Sequence, residues 1–150
     1  MIMGISPGTR SIGTAILHEG VLIDWGVKMF KEEWSDRKLA KIIKVLETHI
    51  KNYSIKVIAV KRCHVARTSD ALEQVCHGIM LLAKQMNVRC RVYTLEELKH
   101  HCNGIDTKHS LMSYIFQNYP EVQKGIKLTS VNFNYYMKTV EAVALAHILN

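Results

Sequence analysis

The chain has 150 residues, of which 48% are apolar and 22% charged, with a formal net charge of +7 and an isoelectric point of about 9.3. This composition is typical of a globular protein and excludes a chain that is largely disordered. The length predicts one domain, residues 1–150. The positive charge favours partners that carry phosphate, although many small basic proteins bind nothing anionic.

The cysteines and the apolar runs exclude several further classes. The four cysteines are widely spaced and contain no Cys-x-x-Cys pair, which argues against a zinc ribbon or a thioredoxin-like centre. Because Met1 leads directly into a predicted strand, we expect no secretory leader, and therefore a cytoplasmic protein with reduced thiols. The longest apolar run, residues 143–149, is too short to cross a bilayer. We expect no membrane partner.

Three strands and a helix are predicted in the first third of the chain. Apolar runs at residues 1–5 and 15–17 flank a Ser-Pro-Gly turn, and a second turn at residues 18–20 leads into a third strand over 21–30. Ser35 is a good N-cap for a helix that continues to about Tyr53. Its apolar residues recur at helical spacing. The predicted buried face comprises Leu39, Ile42, Ile43, Leu46 and Ile50, and the predicted solvated face Arg37, Lys41, Lys44 and Lys51.

Helices and strands alternate in the rest of the chain. Residues 57–60 form a continuous apolar run, as expected for a central strand covered on both faces. The other predicted elements are a helix over 71–87 capped by Ser69 or Asp70, a strand over 91–94, a helix from Thr94 to His101, a helix from 107 or 108 to 118, and a last helix over 135–149. Three strands followed by this alternation predict an α/β fold with helices flanking a sheet.

The opening strand and turn carry the clearest motif. Gly4-Ile-Ser-Pro-Gly8 resembles the Gly-Ile-Asp-Pro-Gly signature on the first strand of the RuvC-like Holliday-junction resolvases. Later segments resemble further parts of that family in the expected order: residues 56–61, 69–78, 98–108 and 140–147. The resemblance implies a ribonuclease H-like mixed sheet, with three antiparallel N-terminal strands followed by parallel ones. It also implies the activity of a crossover-junction endodeoxyribonuclease.

The residues at the family's catalytic positions do not match that activity. Nucleases of this family use four acids to hold two divalent metals at a phosphodiester. The resemblance places Ser6, Lys61, Lys138 and Glu141 at those positions, so that only Glu141 is acidic. Mg²⁺ requires several oxygen ligands, and an ammonium group beside them would repel it. We therefore expect no intact catalytic residue, no metal ligand and no bound Mg²⁺ or other cofactor.

Two arrangements of these charged side chains are open. Lys138 and Glu141, at i and i+3, share one face of the last predicted helix. Because an unpaired buried charge is costly, either Lys61 or Lys138 is expected to form a salt bridge with Glu141. The alternative is that all three side chains point into water.

Basic residues are concentrated in one part of the chain. Nine lysines and arginines, but a single acid, lie between residues 37 and 67. A surface that tracks phosphates has this composition, although a solvated helix face accounts for four of the nine. Arg62 and Arg67 are predicted to contact nucleic acid because they lie near the edge of the site. The resemblance adds Arg10 and Lys108, which match basic positions of the family pattern.

Neighbouring cysteine and histidine residues do not predict a metal site. Cys63-His64, Cys76-His77 and the segment 100–102 lack the spacing of zinc ligands, and a free cysteine usually behaves as a small apolar residue. Trp34, just before the first helix, is predicted to pack as a hydrophobic staple. No motif indicates a small-molecule substrate.

The sequence therefore favours a catalytically inactive resolvase relative that binds branched or duplex nucleic acid, DNA by resemblance, through its basic surface. A homodimer is expected by analogy with the family. One alternative is an active endonuclease whose acids come from Asp24, Asp70 or Asp106. Another is a protein-interaction module on the same scaffold.

Overall fold

A mixed sheet of five strands forms the centre of the protein. The computed structural model describes residues 1–126 and 132–150, and in this part of the chain the strand order is β3-β2-β1-β4-β5. The strands are β1 (Ile2–Ser6), β2 (Ser11–His18), β3 (Val21–Met29), β4 (Val57–Lys61) and β5 (Arg89–Tyr93). The first three pair antiparallel, and β4 and β5 extend the sheet parallel to β1. This arrangement confirms the predicted mixed sheet.

Helices flank the sheet, and the first three begin at caps that the sequence predicts. The described residues contain α1 (Asp36–Asn52), α2 (Asp70–Gln85), α3 (Leu95–His101), α4 (Lys108–Asn118), α5 (Pro120–Lys124) and α6 (Phe133–His147), with a short 3₁₀ turn at Val65–Arg67. The side chains of Ser35, Ser69 and Thr94 each accept a backbone N–H at a helix start, as N-cap residues do. None of the described helices is long and apolar enough to cross a membrane.

Several element boundaries differ from the sequence prediction. α2 ends before Asn87, which adopts a left-handed φ of 54° that a right-handed helix does not contain. β5 begins at Arg89 rather than at residue 91, because it pairs with the first residue of β4, Val57. α5 is absent from the prediction since five residues are too few for a periodic pattern, although Pro120 suits a first helical turn. α6 lies two residues nearer the N-terminus than predicted.

Two hydrophobic cores lie on opposite faces of the sheet, because successive side chains of a strand point to opposite sides. Ala15 and Leu17 of β2 belong to the core that contains α6, whereas Ile12 and Ile16 belong to the core that contains α1 and α2. The predicted inner face of α1 lies in the second core. Its predicted cationic face is exposed to solvent.

The backbone of α6 packs directly against two strands of the sheet. A Cβ atom added to Gly4 would overlap the carbonyl oxygen of Ala142 and lie 2.8 Å from the amide nitrogen of Ala146. A Cβ atom on Gly13 would overlap the carbonyl oxygen of Lys138. The two glycines therefore let the backbone of α6 touch β1 and β2 directly. This contact places the middle of α6 beside the carboxyl end of β1.

Contacts of His147 with two tyrosine hydroxyls hold the end of α6 against α4 and Tyr119. They predict that the free energy of unfolding depends on pH. The Nδ1 and Nε2 atoms of His147 lie 2.9 Å from the hydroxyl of Tyr119 and 3.1 Å from that of Tyr114. Burial lowers the pKa of His147 below its ordinary value, so the folded protein binds this proton less readily than the unfolded chain. The contribution is complete above the ordinary histidine pKa of about 6.5 and is lost as the pH falls below it.

We therefore expect the free energy of unfolding to decrease from pH 7.5 to pH 5.0, and to decrease less in His147→Gln than in the wild type. Urea unfolding at the two pH values measures both. His18→Gln, at an exposed histidine, is the matched control and is expected to keep the wild-type dependence. Equal pH dependence in His147→Gln and His18→Gln would contradict the assignment.

Candidate functional site

A closed cluster of polar side chains lies at the carboxyl ends of β1 and β4. Ser6 is the last residue of β1 and Lys61 the last of β4, and because these strands are adjacent and parallel, their ends meet at one edge. Glu141 reaches the same point from α6 and is only 2% exposed. The Ser6 hydroxyl donates a hydrogen bond of 2.8 Å to Glu141 Oε2. The ammonium group of Lys61 forms an ion pair with that same oxygen.

Lys138 lies one turn before Glu141 on α6 but has a different partner. Its Nζ atom donates a hydrogen bond of 2.9 Å to the carbonyl oxygen of Pro7. A Cβ atom on Gly8 would lie 2.7 Å from that Nζ atom, so the glycine leaves room for the lysine head. Burial lowers the pKa of Lys138, the neighbouring ammonium of Lys61 lowers it further, and the carboxylate of Glu141 opposes both. The ammonium is thus held by a backbone dipole and not by an acid.

Lys61 and Lys138 therefore differ in the group to which their ammonium is bonded. The predicted salt bridge to Glu141 is confirmed for Lys61 and does not form for Lys138. The alternative in which all three side chains point into water is wrong, since only 3% of the Glu141 side chain and 18% of the Lys61 side chain are exposed. With one carboxylate for two ammonium groups, this end of the sheet carries a net positive charge.

A pair of thiols lies directly beside this cluster. Cys63 follows β4, and its side chain lines one cavity together with that of Cys76 on α2. Interaction with the Cys76 thiol lowers the pKa of Cys63 to about 7, with further help from the charges of Lys61 and Lys138 and against the effect of burial. The same contact raises the pKa of Cys76. Burial alone raises the pKa of Cys90.

Comparison with known proteins identifies the scaffold. A family model described as crossover junction endodeoxyribonuclease RuvC matches residues 2–117, which is most of the chain. The chain belongs to the RuvC family. No curated protein sequence matches it. Positions 138 and 141 lie beyond the matched range, so their place in the site depends on the structure.

Solved structures support the same assignment at the level of the fold. Thermus thermophilus RuvC in complex with a Holliday junction substrate superposes with a TM-score of 0.76 at 15% identity, covering 98% of this chain and 90% of that one. A second Thermus thermophilus RuvC structure gives a TM-score of 0.73, also at 15% identity, with 98% and 91% covered. At this identity the likeness shows the RuvC fold and nothing about the chemistry.

The side chains at the four positions that the resemblance assigns to metal ligands do not fit a pair of divalent cations. Such ions need several oxygen ligands and enough negative charge to offset their own. Here the single carboxylate, Glu141, is already bonded to a hydroxyl and to the Lys61 ammonium, and Lys138 adds a second positive charge. In the described ranges, no group of three or more histidine, cysteine or acidic side chains is placed to hold a metal ion.

The three aspartates considered as replacement acids lie in other surroundings. Asp24 on β3 is level with Met3, three residues before Ser6, and accepts a hydrogen bond of 3.2 Å from the Tyr53 hydroxyl. Asp70, the first residue of α2, and Asp106, which precedes α4, are exposed. Within the described part of the chain, no hydrogen bond or ion pair links any of the three to the cluster around Glu141.

The four cations expected to contact nucleic acid have distinct locations. The backbone N–H of Arg62 donates to the carbonyl of Tyr93, which holds the residue at the end of β4. Arg67 closes the exposed 3₁₀ turn that follows. Lys108 begins α4 close enough to Lys138 to lower its pKa. Arg10, in the turn between β1 and β2, lines an open cleft of about 610 Å³. Their role in binding stays a prediction.

The contact between Cys63 and Cys76 is the feature that the sequence prediction missed. By sequence the two residues belong to separate Cys-His pairs, and Cys76 fits the apolar face of its helix. Their positions in the sequence could have indicated this contact. Cys63 lies just after β4, and Cys76 lies in the second turn of α2, the next long helix along the chain. Only the packing of α2 against the sheet brings the two sulfur atoms together.

Proposed function

We propose that this RuvC-family protein is catalytically inactive and binds branched or duplex DNA through a basic surface formed by Arg10, Arg62, Arg67 and Lys108. The observation that carries the proposal is the pairing of Glu141 with Lys61 and Ser6. Before this carboxylate could accept a divalent cation, it would have to release the ammonium group of Lys61. Two lysines would then remain beside the ion, which makes two-metal cleavage unfavourable.

The charge left at the cluster supports binding of phosphate. The Lys61–Glu141 pair is neutral as a unit, and Lys138 has only a backbone carbonyl as partner. The excess positive charge, that of Lys138, therefore lies at the same edge of the sheet as Arg62. Arg62 and Arg67 are exposed, so their guanidinium groups are free to bind phosphates in bidentate fashion.

The comparison with a DNA-bound relative supports the choice of ligand. Thermus thermophilus RuvC, whose fold this chain shares, has been solved with a Holliday junction substrate. A net charge of +7 on 150 residues suits the same kind of polyanion. We expect the DNA-binding form to be a homodimer, as in the family.

Binding and cleavage of a labelled four-way junction test this function in one assay. We expect a complex whose affinity falls steeply with salt, since bound phosphates release counterions. No cleavage product is expected with Mg²⁺ or Mn²⁺. Metal-dependent cleavage would overturn the inactive assignment and favour the endonuclease alternative. The absence of any complex at low salt would overturn DNA binding and leave the protein-interaction alternative.

Two double variants test whether Arg62 and Arg67 belong to the DNA-binding surface. The double variant Arg62→Ala/Arg67→Ala is expected to weaken junction binding by about tenfold or more and to reduce the salt slope by about 1 for each phosphate that the variant no longer binds. The matched control, Arg37→Ala/Lys44→Ala, removes two exposed cations from the solvated face of α1. If both double variants bind equally well, the proposed surface is wrong.

A second experiment places acidic residues at the three positions of the cluster that lack them. Ser6→Asp/Lys61→Glu/Lys138→Asp places four carboxylates at the RuvC metal positions, and Ser6→Asn/Lys61→Gln/Lys138→Asn is its uncharged control. We expect Mg²⁺ to raise the melting temperature of the acidic variant only, because an ion that binds the folded state stabilises it, and some metal-dependent nicking to follow. A folded acidic variant that binds Mg²⁺ but never nicks a bound junction would contradict a retained substrate geometry.

A further inference from the structure

Two thiols and an open cavity occur together on the connection from β4 to α2. Cys63 and Cys76 are both half-buried. They line a cavity of about 280 Å³ whose other walls include Thr68, Glu73 and His77. A small polar molecule can therefore reach both sulfur atoms. All four cysteines of the chain are free.

The surroundings of the two sulfur atoms favour the thiolate at Cys63 and the neutral thiol at Cys76. The ammonium groups of Lys61 and Lys138 favour the thiolate of Cys63, whereas interaction with Cys63 raises the pKa of Cys76 and keeps that thiol protonated. The thiolate is the reactive form of cysteine, whereas a neighbouring neutral thiol is well placed to resolve its oxidation product. Cys90 and Cys102 lack a thiol partner in the described residues, and burial raises the pKa of both.

We propose that Cys63 and Cys76 form a peroxide-reactive thiol pair that closes to a disulfide. The Cys63 thiolate attacks one oxygen of a hydroperoxide, the O–O bond breaks, and the other oxygen leaves and takes up a proton as water or an alcohol. The sulfur of Cys76 then displaces hydroxide from the Cys63 sulfenic acid, and its proton leaves with that hydroxide as water. Two electrons pass from the two thiols to one peroxide.

The position of the pair gives the reaction a structural consequence. The disulfide would close a loop containing the 3₁₀ turn and its Arg67, and would tie that loop to α2. It would also remove a thiolate from beside Lys61 and Lys138. Neither the reaction nor its detection depends on DNA binding.

Mass spectrometry of the native protein after mild hydrogen peroxide treatment tests the proposal. We expect the whole protein to lose the mass of two hydrogen atoms and to recover it with a reductant. Trypsin is expected to release residues 63–67 linked to residues 68–84, since each peptide carries one cysteine of the pair. The bridge should be absent from Cys63→Ser and Cys76→Ser and present in the matched control Cys90→Ser.

A second measurement uses the unmodified chain, in case a cysteine variant fails to fold. During a short pulse of iodoacetamide at pH 7.5 we expect Cys63 to be alkylated about tenfold faster than Cys90 or Cys102. The proposal is overturned if Cys63 reacts no faster than these two, if peroxide leaves Cys63 as a sulfinic acid without a bridge, or if the bridge joins any other pair.

Discussion

Glu141→Ala is expected to lower the free energy of unfolding by about 3 kcal/mol, because removing one partner of a buried ion pair leaves the other charge uncompensated. Two groups lose their partner at once. The Lys61 ammonium keeps only limited access to water, with 18% of its side chain exposed, and the fully buried Ser6 hydroxyl loses its acceptor. Urea unfolding followed by circular dichroism measures the loss.

A matched control separates this effect from the ordinary cost of losing a glutamate. Glu32 also forms an ion pair, with Lys41, but 42% of the Glu32 side chain and 57% of the Lys41 side chain are exposed. Glu32→Ala should change the free energy of unfolding by less than about 1 kcal/mol, as expected for a solvated pair. If the two alanine variants are equally stable, the cluster does not contribute to stability as described.

A double-mutant cycle then isolates the pair itself. In Lys61→Met the buried carboxylate of Glu141 keeps only the Ser6 hydroxyl as a partner, so this variant is also expected to be less stable than the wild type. In Lys61→Met/Glu141→Ala neither charge is left alone. The double variant should therefore be more stable than the sum of the single effects predicts, with a coupling of about 1–3 kcal/mol. Strict additivity would show that the two side chains do not interact.

Gly4→Ala is expected to cost more than about 4 kcal/mol or to prevent folding, since the added methyl group meets backbone and not a movable side chain. Its Cβ atom would overlap the carbonyl oxygen of Ala142 and approach the amide of Ala146. To make room, α6 would have to move away from β1, and nine of its residues are buried. A domain of this size has about 5–15 kcal/mol of stability in total.

Gly26→Ala is the control for this prediction. Gly26 lies in β3, and a Cβ atom there would meet no atom within 4 Å. We expect a change within about 0.5 kcal/mol, in keeping with a substitution away from any special feature. A Gly4→Ala variant that loses less than about 1 kcal/mol would mean that α6 does not touch β1 as closely as described.

The fold was largely predictable because its signals are local. The helical spacing of Ile42, Leu46 and Ile50 and the caps at Ser35 and Ser69 are properties of short segments, and the structure confirms them. α5 lay outside the reach of such patterns because it is shorter than two helical turns. Where α2 ends depends on the backbone conformation of one asparagine.

The site was predictable only in part because its decisive contacts are distant in sequence. The resemblance to RuvC gave the positions of the four residues, but both lysines were plausible partners for Glu141. Lys138 is nearer in sequence, yet the space above Gly8 lets it reach the Pro7 carbonyl instead. The thiol contact was missed for the same reason, since it depends on how closely α2 packs against the end of β4.

The ion pair between β4 and α6 constrains how this sequence can change. Substituting Lys61 by an acid alone would put two carboxylates against each other in a buried place, and removing Glu141 alone would strand an ammonium group there. We expect both single changes to lower stability, so that an acid at position 61 is tolerated only when the charge at position 141 changes with it. The two positions, one on β4 and one on α6, are therefore expected to accept new charges together and not one at a time.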